Sequence, residues 1–119
     1  MACEILRVEG DLVSAKFSGV MRLNDQQALQ DIARQIIERG EKVRLLAILE
    51  GFQGWEKGVD WGDIDFMVKY DDRVFKMAII GDMKWREKIF AFVGKGLRAT
   101  EIEFFTIDRF TEALSWVRA

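Results

Sequence analysis

The sequence predicts an α/β fold: a single domain with a mixed, mostly parallel sheet, an N-terminal β-hairpin and about four helices, in the order ββαβαβαβα. Three observations lead there. Val43–Leu49 and Val74–Ile80 are short and almost continuously apolar, as strands covered on both faces are. Around them run segments with apolar residues at three- and four-residue spacing, the pattern of helices packed on a sheet. Strands that alternate with helices need crossover connections, which make neighbouring strands parallel. The chain carries no internal repeat, low-complexity tract or linker, so residues 1–119 read as one domain.

The elements follow in order. Residues 4–9 and 12–20 read as two strands joined by a tight turn at Gly10-Asp11. In the second, Val13, Ala15 and Phe17 alternate with Ser14, Lys16 and Ser18. Asn24 is the expected N-cap of the first helix, with Gln27 three residues on at the capping-box position. Ala28, Leu29, Ile32, Ala33, Ile36 and Ile37 then recur at helical spacing until Gly40 stops the helix. After the strand Val43–Leu49, residues 51–62 interleave Gly51, Gly54, Gly58 and Gly62 with Phe52, Trp55 and Trp61, and read as a loop. A helix over about 60–71 follows, with Trp61, Ile64, Met67 and Val68 on one side. Val74–Ile80 leads through Gly81-Asp82 into a helix over about 82–93, whose stripe is Trp85, Ile89, Phe92 and Val93. Ile102–Thr106 is the last strand, and Asp108 is the expected cap of a final helix with Phe110, Ala113, Leu114 and Val117 inward.

Composition narrows the function. The chain has no His, no Pro and one Cys, Cys3. The commonest general base and metal ligand is therefore missing, as are a disulfide framework and a thiolate zinc site. Cys3 has no His to activate it. An enzyme is the least supported class, and no cofactor is implied. Met1 leads into Glu4–Val8 without a basic or apolar leader pattern, which together with a lone Cys points to the cytoplasm. The net charge of −2 and the absence of an extended basic stripe argue against a nucleic-acid partner. Charge is nevertheless segregated. Residues 50–72 hold seven acids against Lys57 and Lys69, a net of −5, and residues 82–98 hold five cations against Asp82 and Glu87, a net of +3.

Two stretches are candidate sites. The 51–62 segment follows the C-terminal end of a parallel strand, where open α/β sheets bind ligands. Its glycines and Phe52, Trp55 and Trp61 suit a lid over an apolar pocket; alternatively, the aromatics pack the loop onto the sheet edge. Asp82 and Trp85 at the start of the next helix complete the ligand-site set, although Asp82 also has the position of a helix cap. The second candidate is a membrane or partner surface formed by Met83, Lys84, Lys88, Phe90 and Lys95. There Met83 and Phe90 fall outside the core stripe and are flanked by cations, as on interfacial helices, whereas an ordinary amphipathic helix with a solvated basic face has the same composition. Asp60, Asp63 and Asp65 resemble a carboxylate cluster but lack a metal-loop spacing, and acids in a first helical turn are expected from the dipole.

The order of elements and several local motifs resemble the SpoIIAA-like family, a bacterial branch of the STAS fold. The motifs are Arg44-Leu45-Leu46, Gly51-Phe52 with Gly54-Trp55, Met77 to Asp82 with Trp85, Glu103-Phe104-Phe105, and Glu112 to Trp116. The resemblance implies a sheet covered by helices, akin to STAS regulators and to CRAL-TRIO lipid-transfer domains, and it implies no catalysis. The partners it implies are an apolar or lipid-like ligand, a membrane surface, or a second copy in a homodimer. STAS anti-sigma antagonists are switched by phosphorylation of a Ser or Thr after the central strand. This chain has neither residue between Ser18 and Thr100, so that switch is chemically impossible here.

Overall fold

The computed structural model describes residues 2–59, 61, 69–96 and 98–119. Five strands form one sheet in sequential order: β1 (Cys3–Glu9), β2 (Leu12–Met21), β3 (Val43–Trp55), β4 (Val74–Ile80) and β5 (Glu101–Phe105). β1 is antiparallel to β2, closing the predicted hairpin at Gly10-Asp11, and β2 to β5 are mutually parallel. Among the described residues there are three α-helices: α1 (Leu23–Glu38), α2 (Arg86–Val93) and α3 (Phe110–Arg118). The helix expected over about 60–71 falls largely outside the described residues, as do Asp60, Asp63 and Asp65; Lys69 and Tyr70 are helical.

Alternation along the strands divides the apolar residues between two faces. Val13, Ala15 and Phe17 of β2, Leu45, Ala47 and Leu49 of β3, and Met77 and Ile79 of β4 form the larger core with Ala33, Ile36 and Ile37 of α1 and Ile89 of α2. On the opposite face Leu12, Leu46, Ala78, Ile80 and Phe105 pack against Ala113 and Val117 of α3. Two cations hold α3 by its C-terminal carbonyls. Arg44 Nη1 donates to Val117 O at 2.7 Å, and the buried Lys76 Nζ donates to Trp116 O at 2.9 Å, where the helix dipole favours positive charge.

Four expectations are corrected. β3 does not end at Leu49: it continues to Trp55, paired with β2 as far as Met21↔Trp55. Gly19, Gly51 and Gly54, all at positive φ, with register shifts around Gly19, bend this extension without ending it. Helix α1 is capped not at Asn24 but at Arg22. The Asp25 carboxylate accepts from the N–H groups of Arg22 (2.9 Å) and Cys3 (3.3 Å), and Glu56 Oε1 accepts from Leu23 N–H at 3.3 Å. Glu56, just past β3, thus supplies a non-local acceptor to the helix start, while Asp25 ties the N-cap backbone to β1. Asp108 does not cap α3; it lies in a 3₁₀ turn, Ile107–Arg109, and accepts from Thr106 Oγ1. Phe110, the first residue of α3, is 42% exposed because it stands at the rim, before the helix passes over the sheet.

Candidate functional site

The bent β2–β3 extension positions the aromatics that the sequence singles out. β4 pairs with β3 only up to Ile48↔Ile80, so Leu49–Trp55 projects beyond it with β2 alone as a partner. Within this ribbon Phe52 and Gly54 turn inward while Gln53 is exposed. Phe52 meets Trp55 edge-on at 5.3 Å and Trp85 at 4.8 Å, and Trp55 meets Trp85 at 6.0 Å. Phe92 of α2 stacks on Trp55 at 4.8 Å and meets Trp61 at 5.3 Å. Glycine at 54 is required by its φ of +107°, a conformation that residues with a Cβ rarely adopt, while a Cβ there would make only ordinary contact with the Trp85 ring at 3.7 Å. Trp61 is anchored separately, its indole N–H donating to Glu56 O at 2.9 Å.

Beneath this cluster lies a cavity of about 220 Å³, bounded by the sheet, α1 and α2. Its floor is Val13 and Phe17 of β2, Leu45, Ala47 and Leu49 of β3, and Met77 and Ile79 of β4. One wall is Gln26, Leu29, Gln30 and Ala33 of α1, and the other is Ile89, Phe92 and Val93 of α2. Helix α1 seals onto the sheet at its C-terminal half through buried Ile36 and Ile37, whereas Gln26, Leu29 and Gln30 in its N-terminal half are only half-buried. The cavity opens where the helix stands off the sheet. Among the described residues, the polar lining side chains are Gln26, Gln30 and Arg98, with no carboxylate. The buried Trp55 Nε1 has no hydrogen-bond partner among the described residues, and an unpaired donor costs about 1–3 kcal/mol unless an aromatic face receives it.

Of the five ligand-site candidates, Phe52, Trp55 and Trp61 line this cavity, and Trp85 packs behind two of them. Asp82 is outside the lining. It is exposed, and its carboxylate accepts from Lys84 N–H at 3.0 Å, capping the 3₁₀ turn that leads into α2. The α1 residues and Arg98 were not legible as site residues. The helical stripe marks Leu29 and Ala33 as core, and nothing in the sequence distinguishes a stripe that touches the sheet from one that leaves a gap. The expected surface set separates as well. Met83 is 54% exposed, and Lys84 and Lys88 are exposed beside it. Phe90, expected outside the core stripe, is half-buried against it instead, edge-on to Phe104 at 6.3 Å with Arg86 and Lys95 over its ring. Lys95 turns back to Ile102 O and to Glu103.

Burial first, and the neighbouring Asp25 carboxylate second, push the Cys3 thiol from 9.0 up to about 11, which keeps it protonated and unreactive. The cavity is instead a shaped apolar space with few polar groups, the form that small-molecule sites take. The class defined by the fold is a helix-covered α/β domain with a mixed five-stranded sheet. The SpoIIAA-like family model matches residues 12–118, and the chain belongs to that family. Its fold is similar to the crystal structure of an uncharacterized protein of the DUF3478 family with a SpoIIAA-like fold from Shewanella loihica PV-4. The TM-score is 0.63 at 20% identity, covering 98% of this chain and 92% of that one. No curated protein matches the chain by sequence. The SpoIIAA-like fold is that of STAS-type domains, in general non-catalytic regulatory modules. No helix among the described residues is long and apolar enough to cross a membrane.

Proposed function

We propose that the chain is a non-enzymatic binding module of the cytoplasm that holds a small apolar ligand between its sheet and the α1–α2 pair. The observation that carries this reading is the cavity of about 220 Å³ lying under Phe52, Trp55 and Trp61. The space is lined mainly by apolar side chains, so an apolar occupant gains by removing that lining from water, at roughly 25 cal/mol per Å² of apolar surface covered. The β2–β3 ribbon serves as the cover, which replaces the loop lid that the sequence suggested. Native mass spectrometry of freshly purified protein, together with thermal unfolding in the presence of toluene, tests the reading. The expected result is an adduct or a raised melting temperature with toluene. A ligand-free mass with no toluene effect refutes it.

A second reading, an interaction surface of STAS type or a homodimer, is favoured by apolar side chains left at the strand ends. Met83 and Ile107 are 54% and 65% exposed, and Gly81 N–H bonds Phe105 O at 3.0 Å, tying together the two strand ends from which they project. Exposed apolar groups gathered in this way mark contact surfaces. Sedimentation equilibrium tests the homodimer, and a monomer at all concentrations removes it. Peripheral membrane contact narrows to Met83, Lys84 and Lys88. Co-sedimentation with anionic vesicles at low salt tests it, and protein left in the supernatant counts against it.

A further inference from the structure

Helix α1 carries four glutamines, and two of them stand where a packed helix places apolar residues; what they imply for the ligand rests on the pocket reading above. Gln27 and Gln35 are exposed, whereas Gln26 and Gln30 line the cavity. Positions 26, 30, 33 and 37 follow one another at four-, three- and four-residue steps, so they share one side of the helix. At 33 and 37 that side is Ala and Ile, both buried. At 26 and 30, where the helix stands off the sheet, it is an amide twice over, one helical turn apart. Polar side chains on a core-facing stripe break the binary pattern, and proteins keep such breaks where they serve a function. Among the described residues, neither amide has a side-chain hydrogen bond. Both are half-buried, so they stand at the mouth of the cavity.

Amide chemistry sets what this pair takes. Each Gln offers one carbonyl acceptor and two N–H donors, and carries no charge. Two of them one turn apart suit a group that both donates and accepts, at the edge of an otherwise apolar space. A hydroxyl or a carboxamide is such a group. An ion is served less well. Arg98 is already engaged, donating to Val93 O at 3.4 Å, and no described lining residue is acidic. An ionised head would therefore lose water without an unengaged counter-charge among the described residues. Deeper in, Leu29 and Ala33 of α1 face Leu45, Ala47 and Met77 of the sheet, which suit only an apolar body. We infer that the cavity takes a neutral amphiphile. Its apolar body lies between the sheet and the α1–α2 pair, and Gln26 and Gln30 hold one uncharged hydroxyl or carboxamide head at the mouth.

Benzyl alcohol and ethylbenzene test this, because they share a shape and differ only in ending in a hydroxyl or a methyl. Each is titrated calorimetrically into the full chain and into a variant with both Gln26→Met and Gln30→Met. Met keeps the length and helix propensity of Gln and removes the amide. The double substitution is expected to weaken benzyl alcohol about fivefold or more while leaving ethylbenzene unchanged or tighter. Benzoate and benzylammonium are expected to bind at least about tenfold more weakly than benzyl alcohol. In the unaltered chain, the side-chain NH₂ signals of Gln26 and Gln30 are expected to shift on addition of benzyl alcohol. Unmoved signals overturn the assignment without any substitution. If the variant keeps its affinity for benzyl alcohol, or loses ethylbenzene to the same degree, the amides hold no head and the inference fails while the pocket stands. If benzoate or benzylammonium equals or exceeds benzyl alcohol, the neutral head is wrong. Binding of none of the four to the unaltered chain removes the pocket reading itself.

Discussion

Replacing Ala33 by Leu gives a result whose sign depends on whether the cavity exists. Ala33 is buried in the helical wall of the cavity, and Leu is nearly as good a helix former as Ala, so the backbone is barely affected. Leu adds three carbons. If they enter the void, each is worth about 0.8 kcal/mol, an upper bound near 2.4 kcal/mol that side-chain ordering reduces to a gain of about 1–2 kcal/mol. If α1 packed closely on the sheet at this point, the same carbons would overpack it and cost about 1–3 kcal/mol. Ala78→Leu supplies the contrast. Ala78 is fully buried on the other face, under α3, and does not line the cavity, so its replacement is expected to cost at least those 1–3 kcal/mol. Urea denaturation followed by far-UV circular dichroism measures both, with the slope checked to show that the unfolded state is unchanged. Loss of more than about 1 kcal/mol in Ala33→Leu, like that in Ala78→Leu, would refute the reasoning.

Asp25→Ala strands the N–H groups of Cys3 and Arg22, at about 1–3 kcal/mol each, and Asp25→Asn costs about half as much because one acceptor remains; equilibrium unfolding that finds both variants near wild type contradicts the cap. Lys76→Met keeps the stem but removes the ammonium from Trp116 O, and is expected to cost about 1–2 kcal/mol, again by urea titration. Cys3 is expected to resist a thiol reagent at pH 8 in the folded chain and to react only as fast as the chain opens; rapid native labelling contradicts its burial. The fold raises the pKa of this thiol, so its contribution is intact below pH 9.0 and is lost as pH rises through about 11. Wild type is therefore expected to lose roughly 3 kcal/mol relative to Cys3→Ala across that window, and parallel pH profiles contradict it.

The sheet was legible because burial leaves a mark on residue type. Val74–Ile80 matches its observed strand at both ends, since a strand covered on two faces must be apolar at nearly every position. Its one exception, Lys76, is the residue that holds α3. The continuation of β3 through Gly51–Trp55 was obscured by two glycines, which normally end a strand, yet the alternation of inward Phe52 and Gly54 with outward Gln53 was present in those residues. Phe52, Trp55 and Trp61 stood out in the sequence as large apolar side chains beside a strand end, and they border the cavity. The α1 wall did not stand out. Whether Leu29 meets the sheet or faces a gap depends on the spacing between two elements, and that spacing is set by residues as remote as Glu56 on Leu23. Phe110 failed as a core residue for a similar reason: helical phase says which side it faces, not whether the sheet extends beneath it.

The claim that matters most is that the space between the sheet and the α1–α2 pair is a binding site. A ¹H–¹⁵N correlation spectrum of the labelled chain, titrated with toluene, addresses it residue by residue. The account predicts saturable shifts at Ala33, Ala47, Phe52, Met77 and Val93 and at the Trp55 indole N–H, with Ala78, Ala113 and Val117 on the opposite face unmoved. Shifts confined to the exposed Met83 and Ile107, or a spectrum unchanged at saturating ligand, would contradict it.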